Sequence, residues 1–134
     1  MICPVLLYGA EIWALKRREE EMLERTEMRM LRWILEVLVK DRKRNDFIRT
    51  KIGVTCITNK IRESRQRWYG HVQRSKEDGC IKRILNAEVY RRRSRGRQRK
   101  RWMDAVQQDM KKLHITPETA ANRSKWRPRT RVAD

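Results

Sequence analysis

Residues 16–39 read KRREEEMLERTEMRMLRWILEVLV and set the helical character of the chain. Apolar side chains recur at steps of three and four residues, which predicts an amphipathic helix. The stretch contains neither Gly nor Pro, and Glu19, Glu20 and Glu21 stand where carboxylates favour the dipole of a helix N-terminus. We therefore predict one long helix through Val39 as the backbone of an all-α protein. The residues predicted on its buried face are Leu23, Met30, Leu31, Ile34, Leu35 and Leu38.

The apolar opening of the chain, MICPVLLYGAEIWAL, precedes that helix. It lacks a positively charged start, contains Glu11 and is too short to cross a bilayer, so it indicates neither a signal peptide nor a membrane anchor. We interpret it as part of the core. No Ser, Thr, Asp or Asn precedes Pro4 to cap a helix, so we expect the sequence to be part of a longer protein.

Charge is distributed unevenly along the 134 residues, whose net charge is +18. Residues 1–40 hold seven basic and seven acidic side chains, so the whole excess lies in residues 41–134. Such asymmetry is typical of chains that contact nucleic acid or an anionic surface. Apolar residues still make up 39% of the chain, which excludes a wholly disordered tail. We expect a polyanionic partner.

A short helix is predicted next. Asn45 is placed to cap it, Phe47 and Ile48 are predicted to point inward, and the helix is expected to end at Ile52 with Gly53 as its stop.

A second amphipathic helix is predicted from residue 58 or 59 to about residue 74. Trp68 completes its apolar face, which favours a core position, whereas Tyr69 is predicted outside the core, where it could stack on an unpaired base. Gly70 lies inside the helix at a cost of about 1 kcal/mol relative to Ala, which predicts a weak point. His71 is interpreted as a structural or phosphate-contacting residue rather than a general base. The predicted nucleic-acid contacts here are Lys60, Arg65, Arg67, Tyr69, His71 and Arg74.

An arginine-rich run follows a segment, residues 80–90, that is compatible with either a short helix or a strand. Residues 91–101 read RRRSRGRQRKR, with eight cations in eleven positions, so mutual repulsion predicts an extended segment. We expect it to clamp phosphates and to serve as a nuclear import signal, which predicts a nuclear protein. Its Arg-Gly-Arg core also resembles the minor-groove tripeptide of AT-hooks, although Ser94 and Gln98 stand where those motifs have proline. The predicted contacts are Arg91, Arg92, Arg93, Arg95, Gly96, Arg97, Arg99, Lys100 and Arg101.

The C-terminal part is predicted to be helical again. Trp102 begins an amphipathic helix that extends to Leu113, and Thr116 caps a last short helix with Pro117 at its first position. A basic tail is predicted from Arg127 on. The chain is thus divided into a helical segment at 1–53, a basic helix and connector at 54–90, a flexible loop at 91–101, C-terminal helices at 102–127 and a tail at 128–134.

Catalysis, cofactors and metals find no support in the sequence. Cys3, Cys56 and Cys80 are widely spaced, and only two His residues accompany them, which argues against a disulfide framework and a zinc site. Asp104 and Asp109 diverge on their predicted helix, so they do not provide the paired carboxylates that two-metal polymerisation requires. We predict no enzyme activity, no cofactor and no metal site for this chain alone.

Six short blocks occur in order along nearly the whole chain: LLYGAEIW at 6–13, EMRMLRWIL at 27–35, RNDFIR at 44–49, RQRWYGHVQR at 65–74, RGRQRKRW at 95–102 and RSKWR at 123–127. Together they resemble the C-terminal part of non-LTR retrotransposon endonuclease–reverse transcriptases. The residues that carry the resemblance are Tyr8, Gly9, Glu11 and Trp13, then Arg67, Trp68, Gly70, His71, Val72 and Arg74, and finally Arg95, Gly96, Arg97, Lys100 and Trp102.

The resemblance implies a thumb-like helical bundle, a basic loop and short C-terminal helices that grip RNA, DNA or a hybrid beside the polymerase palm. The adjacent aspartates of that palm are absent from this sequence, so the palm of the parent polyprotein becomes an expected partner. Family members usually have Gly where Glu36 stands and Pro where Gln98 stands, so here the long helix is expected to run a turn further and the loop to be looser. The alternative is a non-functional remnant of a mobile element that makes only apolar protein–protein contacts.

Overall fold

A computed structural model describes residues 7–76, 79–87, 95–96 and 99–132. Within these ranges the protein is all-α, which confirms the predicted fold class, and it contains no strand. The α-helices are α1 (Arg17–Ile34), α2 (Asn45–Ile52), α3 (Ile57–Gln73), α4 (Cys80–Asn86), α5 (Trp102–Leu113) and α6 (Arg123–Thr130), and short 3₁₀ helices occupy Ala10–Ile12, Val39–Asp41 and Pro117–Ala121.

The first helix, α1, is shorter than the sequence predicts. At its start the backbone N–H of Lys16 donates to the Glu19 carboxylate at 2.8 Å. At its end Glu36 takes the left-handed conformation, with φ of 53°, and the helix stops at Ile34. The expected continuation to Val39 is therefore wrong, because Glu36 adopts the backbone conformation that usually belongs to glycine just beyond a helix.

The buried face of α1 differs in part from the predicted one. Leu31 is buried as expected, and Met28 joins it against Ile48 of α2. Ile34 and Leu38 were predicted on this face, but they are exposed. The early end of the helix explains Leu38, since beyond Ile34 the chain no longer follows the helical period.

Helix α3 is the central element of the fold. It contacts α1, α4, α5, α6 and two of the 3₁₀ helices. Its buried side chains form parts of two separate clusters, so one helix joins the N-terminal and C-terminal halves of the described chain. The larger cluster comprises Tyr69, Val106, Met110, Ile115, Ala120 and Trp126, and the smaller comprises Ala10, Ile57 and Ile61.

The predicted weak point at Gly70 does not interrupt α3, which is continuous to Gln73. A Cβ atom at Gly70 would lie 2.5 Å from Nε1 of Trp126 in α6. That indole N–H donates to the carbonyl oxygen of Gln66 at 3.0 Å. The missing side chain therefore lets α6 pack directly on α3.

Two buried carboxylates tie the helices together. Glu27 of α1 accepts a hydrogen bond from the backbone N–H of Ile57 at 2.9 Å, which satisfies an otherwise unpaired donor at the start of α3. Its other oxygen accepts from Arg49 of α2 at 2.8 Å. Asp109 of α5 pairs with Arg65 of α3 at 2.8 Å.

Several local predictions need correction. Asn45 is the first residue of α2 rather than its cap, which is Arg44, and Phe47 is exposed although Ile48 is buried. The segment at 80–90, for which the sequence allows either a helix or a strand, contains the helix α4. The predicted tail from Arg127 on is wrong in part, because α6 continues to Thr130, whose side chain is buried.

Candidate functional site

Helices α3 and α6 both line a cavity of about 540 Å³, which we call the arginine cleft. Among the described residues, four arginines and a histidine line it, with Glu11 as the single acidic residue. Its lining residues are Glu11, Ser64, Arg67, Trp68, His71, Arg74, Arg123, Trp126, Arg127 and Thr130.

Helical periodicity places these cations on two facing surfaces. Arg67 and His71 are four residues apart on α3, and Arg74, the residue that caps its C-terminus, follows three positions later, so the three share one face. Arg123 and Arg127 are four residues apart on α6, which puts their Cα atoms about 6 Å apart along the helix axis. The contact between Trp126 and Gly70 then brings the two faces together.

The fold supports α6 at several points. The Asn122 side chain accepts from the backbone N–H of Lys125 at 3.2 Å and caps the helix. The Thr130 hydroxyl donates to the carbonyl oxygen of Trp126 at 3.1 Å. Trp126 itself is 2% exposed. The two arginines of α6 therefore project from a helix that is held by a buried tryptophan.

The arginine cleft concentrates positive charge. Among the described residues, Arg67, Arg123 and Arg127 form no ion pair. Arg74 donates to the carbonyl oxygen of Ala120 at 2.6 Å. Burial, together with the charge of the nearby Arg123, lowers the pKa of the Arg74 guanidinium. An anion in the cleft would relieve this repulsion between like charges.

Two aromatic residues of α3 lie where the sequence did not predict them. Tyr69, predicted outside the core, is 4% exposed, and its ring centroid lies 6.0 Å from that of Trp126. Trp68, predicted in the core, is half-buried and lines the arginine cleft. The prediction failed because α3 is covered on several sides, and burial recurs every four residues from Ile57 to Tyr69.

Trp68 forms a stack with His71 one turn later on α3. The ring centroids are 5.5 Å apart and the planes are inclined by 25°. His71 is exposed, so its ring presents an aromatic surface to the cleft.

Two predicted phosphate contacts, Arg65 and Lys60, form contacts within the protein. Arg65 is 2% exposed, pairs with Asp109 and also donates to the carbonyl oxygen of Trp13 at 2.8 Å. Lys60 is half-buried, lies 3.8 Å from Glu63 and donates to the carbonyl oxygen of Val132 at 3.3 Å. Arg65 is thus corrected to a core residue, whereas Arg67, His71 and Arg74 come together in the cleft.

The arginine-rich run lies only partly within the described chain. Arg91, Arg92, Arg93 and Arg97 are outside the described residues. Its last residues are anchored: Lys100 donates to the carbonyl oxygen of Leu15 at 3.0 Å, and the Arg101 N–H donates to Asp104 at the start of α5 at 2.8 Å. Of the members that the structure describes, Arg95, Gly96, Arg99 and Arg101 are exposed.

Arg123 and Arg127 were missed as site residues, and so was the role of Trp68 as cleft lining. The two arginines stand in the block RSKWR, where the spacing of four residues places both on one side of a helix. That spacing indicates a shared helix face. The surface of α3 that lies beside this face is known only from the contact between Gly70 and Trp126.

A second cavity of about 540 Å³ lies beside α1, and we call it the Trp33 cleft. Trp33 is 81% exposed, as is Val39, and Leu38 is 55% exposed. Charged residues of both signs surround these apolar side chains. The lining residues are Glu21, Glu24, Arg25, Met28, Arg29, Arg32, Trp33, Val37, Leu38, Val39 and Asn45.

Within the described ranges, no group of three or more His, Cys, Asp or Glu residues is arranged to hold a metal ion. None of the helices in this part of the chain is both long and apolar enough to span a membrane. Comparison with known protein families, with curated proteins and with solved structures gives no match.

Proposed function

We propose that this chain is a nucleic-acid-binding part of a non-LTR retrotransposon reverse transcriptase. It grips the backbone of RNA, DNA or a hybrid without reading sequence, acts in the nucleus, and leaves polymerisation to a palm on the parent polyprotein. The observation that carries this proposal is the arginine cleft, which in the described part of the chain is lined by cations from two helices and by one acidic residue.

Phosphate is the anion that fits this arrangement best. A guanidinium group presents several donors in a planar fork, so each arginine can bind a phosphate through two hydrogen bonds. Arg123 and Arg127 of α6 and Arg67 of α3 line the same cleft, so all three can contact the phosphates of one bound strand. Backbone contacts of this kind position a nucleic acid and carry no sequence information.

The rest of the chain supports the same partner. The net charge of +18 lies outside the first 40 residues, and the run at 91–101 supplies eight cations. Counterion release from these contacts would dominate the affinity and make it depend strongly on salt. The same run supports the proposed nuclear location.

Replacement of the cleft arginines tests the proposal. Arg67, Arg123 and Arg127 are exposed, so the triple Ala variant is expected to fold. Each lost phosphate contact reduces the slope of log K against log salt by about 0.9 on duplex DNA, so we expect a reduction of about 2 to 3. Fluorescence anisotropy with a labelled duplex at several salt concentrations measures the slope.

The matched control replaces three exposed cations outside the cleft, Arg18, Lys51 and Lys111, with Ala. This control removes the same net charge as the cleft variant, so it distinguishes binding at a local site from general electrostatic attraction. An equal loss in both variants would contradict a site at the arginine cleft. Absence of binding by the wild-type chain even at low salt would contradict the proposed function as a whole.

A second candidate function, apolar contact with another protein, is favoured by the Trp33 cleft. Trp33, Leu38 and Val39 expose apolar surface in the neutral part of the chain. Size-exclusion chromatography at high salt discriminates between the candidates, because apolar association persists there and nucleic-acid complexes dissociate. Elution as a monomer in high salt would argue against self-association through this surface.

A further inference from the structure

The stack of Trp68 and His71 is a feature of the arginine cleft that phosphate binding does not require. Phosphates are held by charge and hydrogen bonds, whereas flat aromatic rings attract other rings. Trp68 also lies outside the core, since it is half-buried while its neighbours Tyr69 and Gly70 are buried. The position of this aromatic surface among the arginines therefore points to a ligand that combines a ring with a phosphate.

An unpaired nucleotide is such a ligand. In a duplex the bases stack on one another inside the helix, and the outer surface offers mainly phosphates and groove edges. In a single strand each base has free faces, and proteins commonly bind such strands by aromatic stacking inside a positively charged groove. The volume of the arginine cleft, about 540 Å³, lies within the range of sites that hold small ligands.

We infer that the arginine cleft binds a single-stranded segment or an unpaired end, with a base stacked on the Trp68–His71 pair and the adjoining phosphates held by Arg123 and Arg127. This inference rests on the proposed function and adds to its phosphate grip a preference for unpaired bases, so a duplex is held through its phosphates alone. Trp68 and His71 both line the cleft, so the base lies against the indole as well as the imidazole.

Three probes of similar length separate bases from phosphates. They are a labelled thymidylate oligomer of about twelve nucleotides, an abasic oligomer with the same number of phosphates, and a blunt duplex. The wild-type chain should bind thymidylate more tightly than the abasic oligomer by a factor of between about 5 and 150, the range expected for stacking of one base.

The Trp68→Leu variant should remove that difference. We expect it to bind thymidylate as weakly as the wild type binds the abasic oligomer, with the salt slope and the affinity for the duplex unchanged. Trp68→Phe should keep most of the preference, because it retains an aromatic ring. Trp33→Leu is the matched control, since Trp33 is 81% exposed and lies outside the arginine cleft.

The outcomes distinguish this inference from the proposed function. Equal wild-type affinity for thymidylate and abasic oligomers would overturn the stacking inference and leave the phosphate grip intact. Equal weakening of all three probes by Trp68→Leu would also overturn it, because Trp68 would then act only by supporting the arginines. Failure of the wild-type chain to bind any probe would overturn both.

Discussion

Substitution of Gly70 by Ala tests how the two sides of the arginine cleft are held together. A Cβ atom at this position would lie 2.5 Å from Nε1 and 2.7 Å from Cδ1 of Trp126, and 2.9 Å from a guanidinium nitrogen of Arg74. The indole is almost fully buried and cannot move aside freely, so α6 must shift away from α3. We expect a loss of stability and a loss of the cleft.

Three contributions set the magnitude. Overpacking at a buried contact costs about 1 to 3 kcal/mol. Loss of the hydrogen bond between Trp126 and Gln66 leaves a buried donor unpaired, at a further cost of about 1 to 3 kcal/mol. Ala is better than Gly inside a helix by about 1 kcal/mol, so the net loss is about 3 kcal/mol.

Urea unfolding followed by circular dichroism measures this change in the free energy of unfolding. The sign is decisive, because helix propensity alone would make Gly70→Ala stabilising by about 1 kcal/mol. The same substitution in a Trp126→Leu background removes the indole and should show that stabilising sign, which makes the pair a double-mutant cycle. A stabilising effect in the wild-type background would refute the close packing of α6 on α3.

Three further changes test other parts of the fold. Glu36→Gly should raise the free energy of unfolding by about 1 kcal/mol, because Glu36 has φ of 53° and a side chain makes that conformation costly; urea unfolding checks this, and a decrease would contradict it. Asp109→Asn should lower the free energy of unfolding, measured by thermal unfolding, by about 3 kcal/mol, because it leaves the buried Arg65 guanidinium without its ion pair. An unchanged free energy of unfolding would contradict the burial of this guanidinium. Burial raises the pKa of the Tyr69 phenol above its usual 10.0, so the unfolded chain ionises first and stability falls as the pH rises through that range. Tyr69→Phe should lose less stability than the wild type in the same alkaline titration, and identical profiles would contradict the burial of this phenol.

The sequence predicts the helices better than it predicts their faces. Composition, period and stop signals predict the all-α fold and the extents of α2, α3 and α5 to within a residue or two. The predicted end of α1 is wrong because Glu36 adopts the left-handed conformation that is usually expected only of glycine. The spacing of apolar residues does not indicate the backbone conformation of a single residue, so it does not predict that Glu36 ends the helix.

The errors at the candidate site have one physical origin. The predictions for Arg65, Trp68 and Tyr69 treat α3 as a helix that buries only the face of Ile57 and Ile61. In the structure α3 lies between several elements, so Tyr69 is buried against α5 and α6 and Arg65 is paired with Asp109. Those contacts join residues more than 30 positions apart, and no single stretch of sequence contains them.

Arginine footprinting tests the central claim most directly. Phenylglyoxal modifies accessible guanidinium groups, and mass spectrometry of the digested protein reports each site with and without a thymidylate oligomer, which has no guanine to react. We predict that the oligomer protects Arg67, Arg123 and Arg127 while the exposed Arg18 stays reactive. Unchanged modification of the three cleft arginines at an oligomer concentration that saturates binding would contradict a nucleic-acid site between α3 and α6.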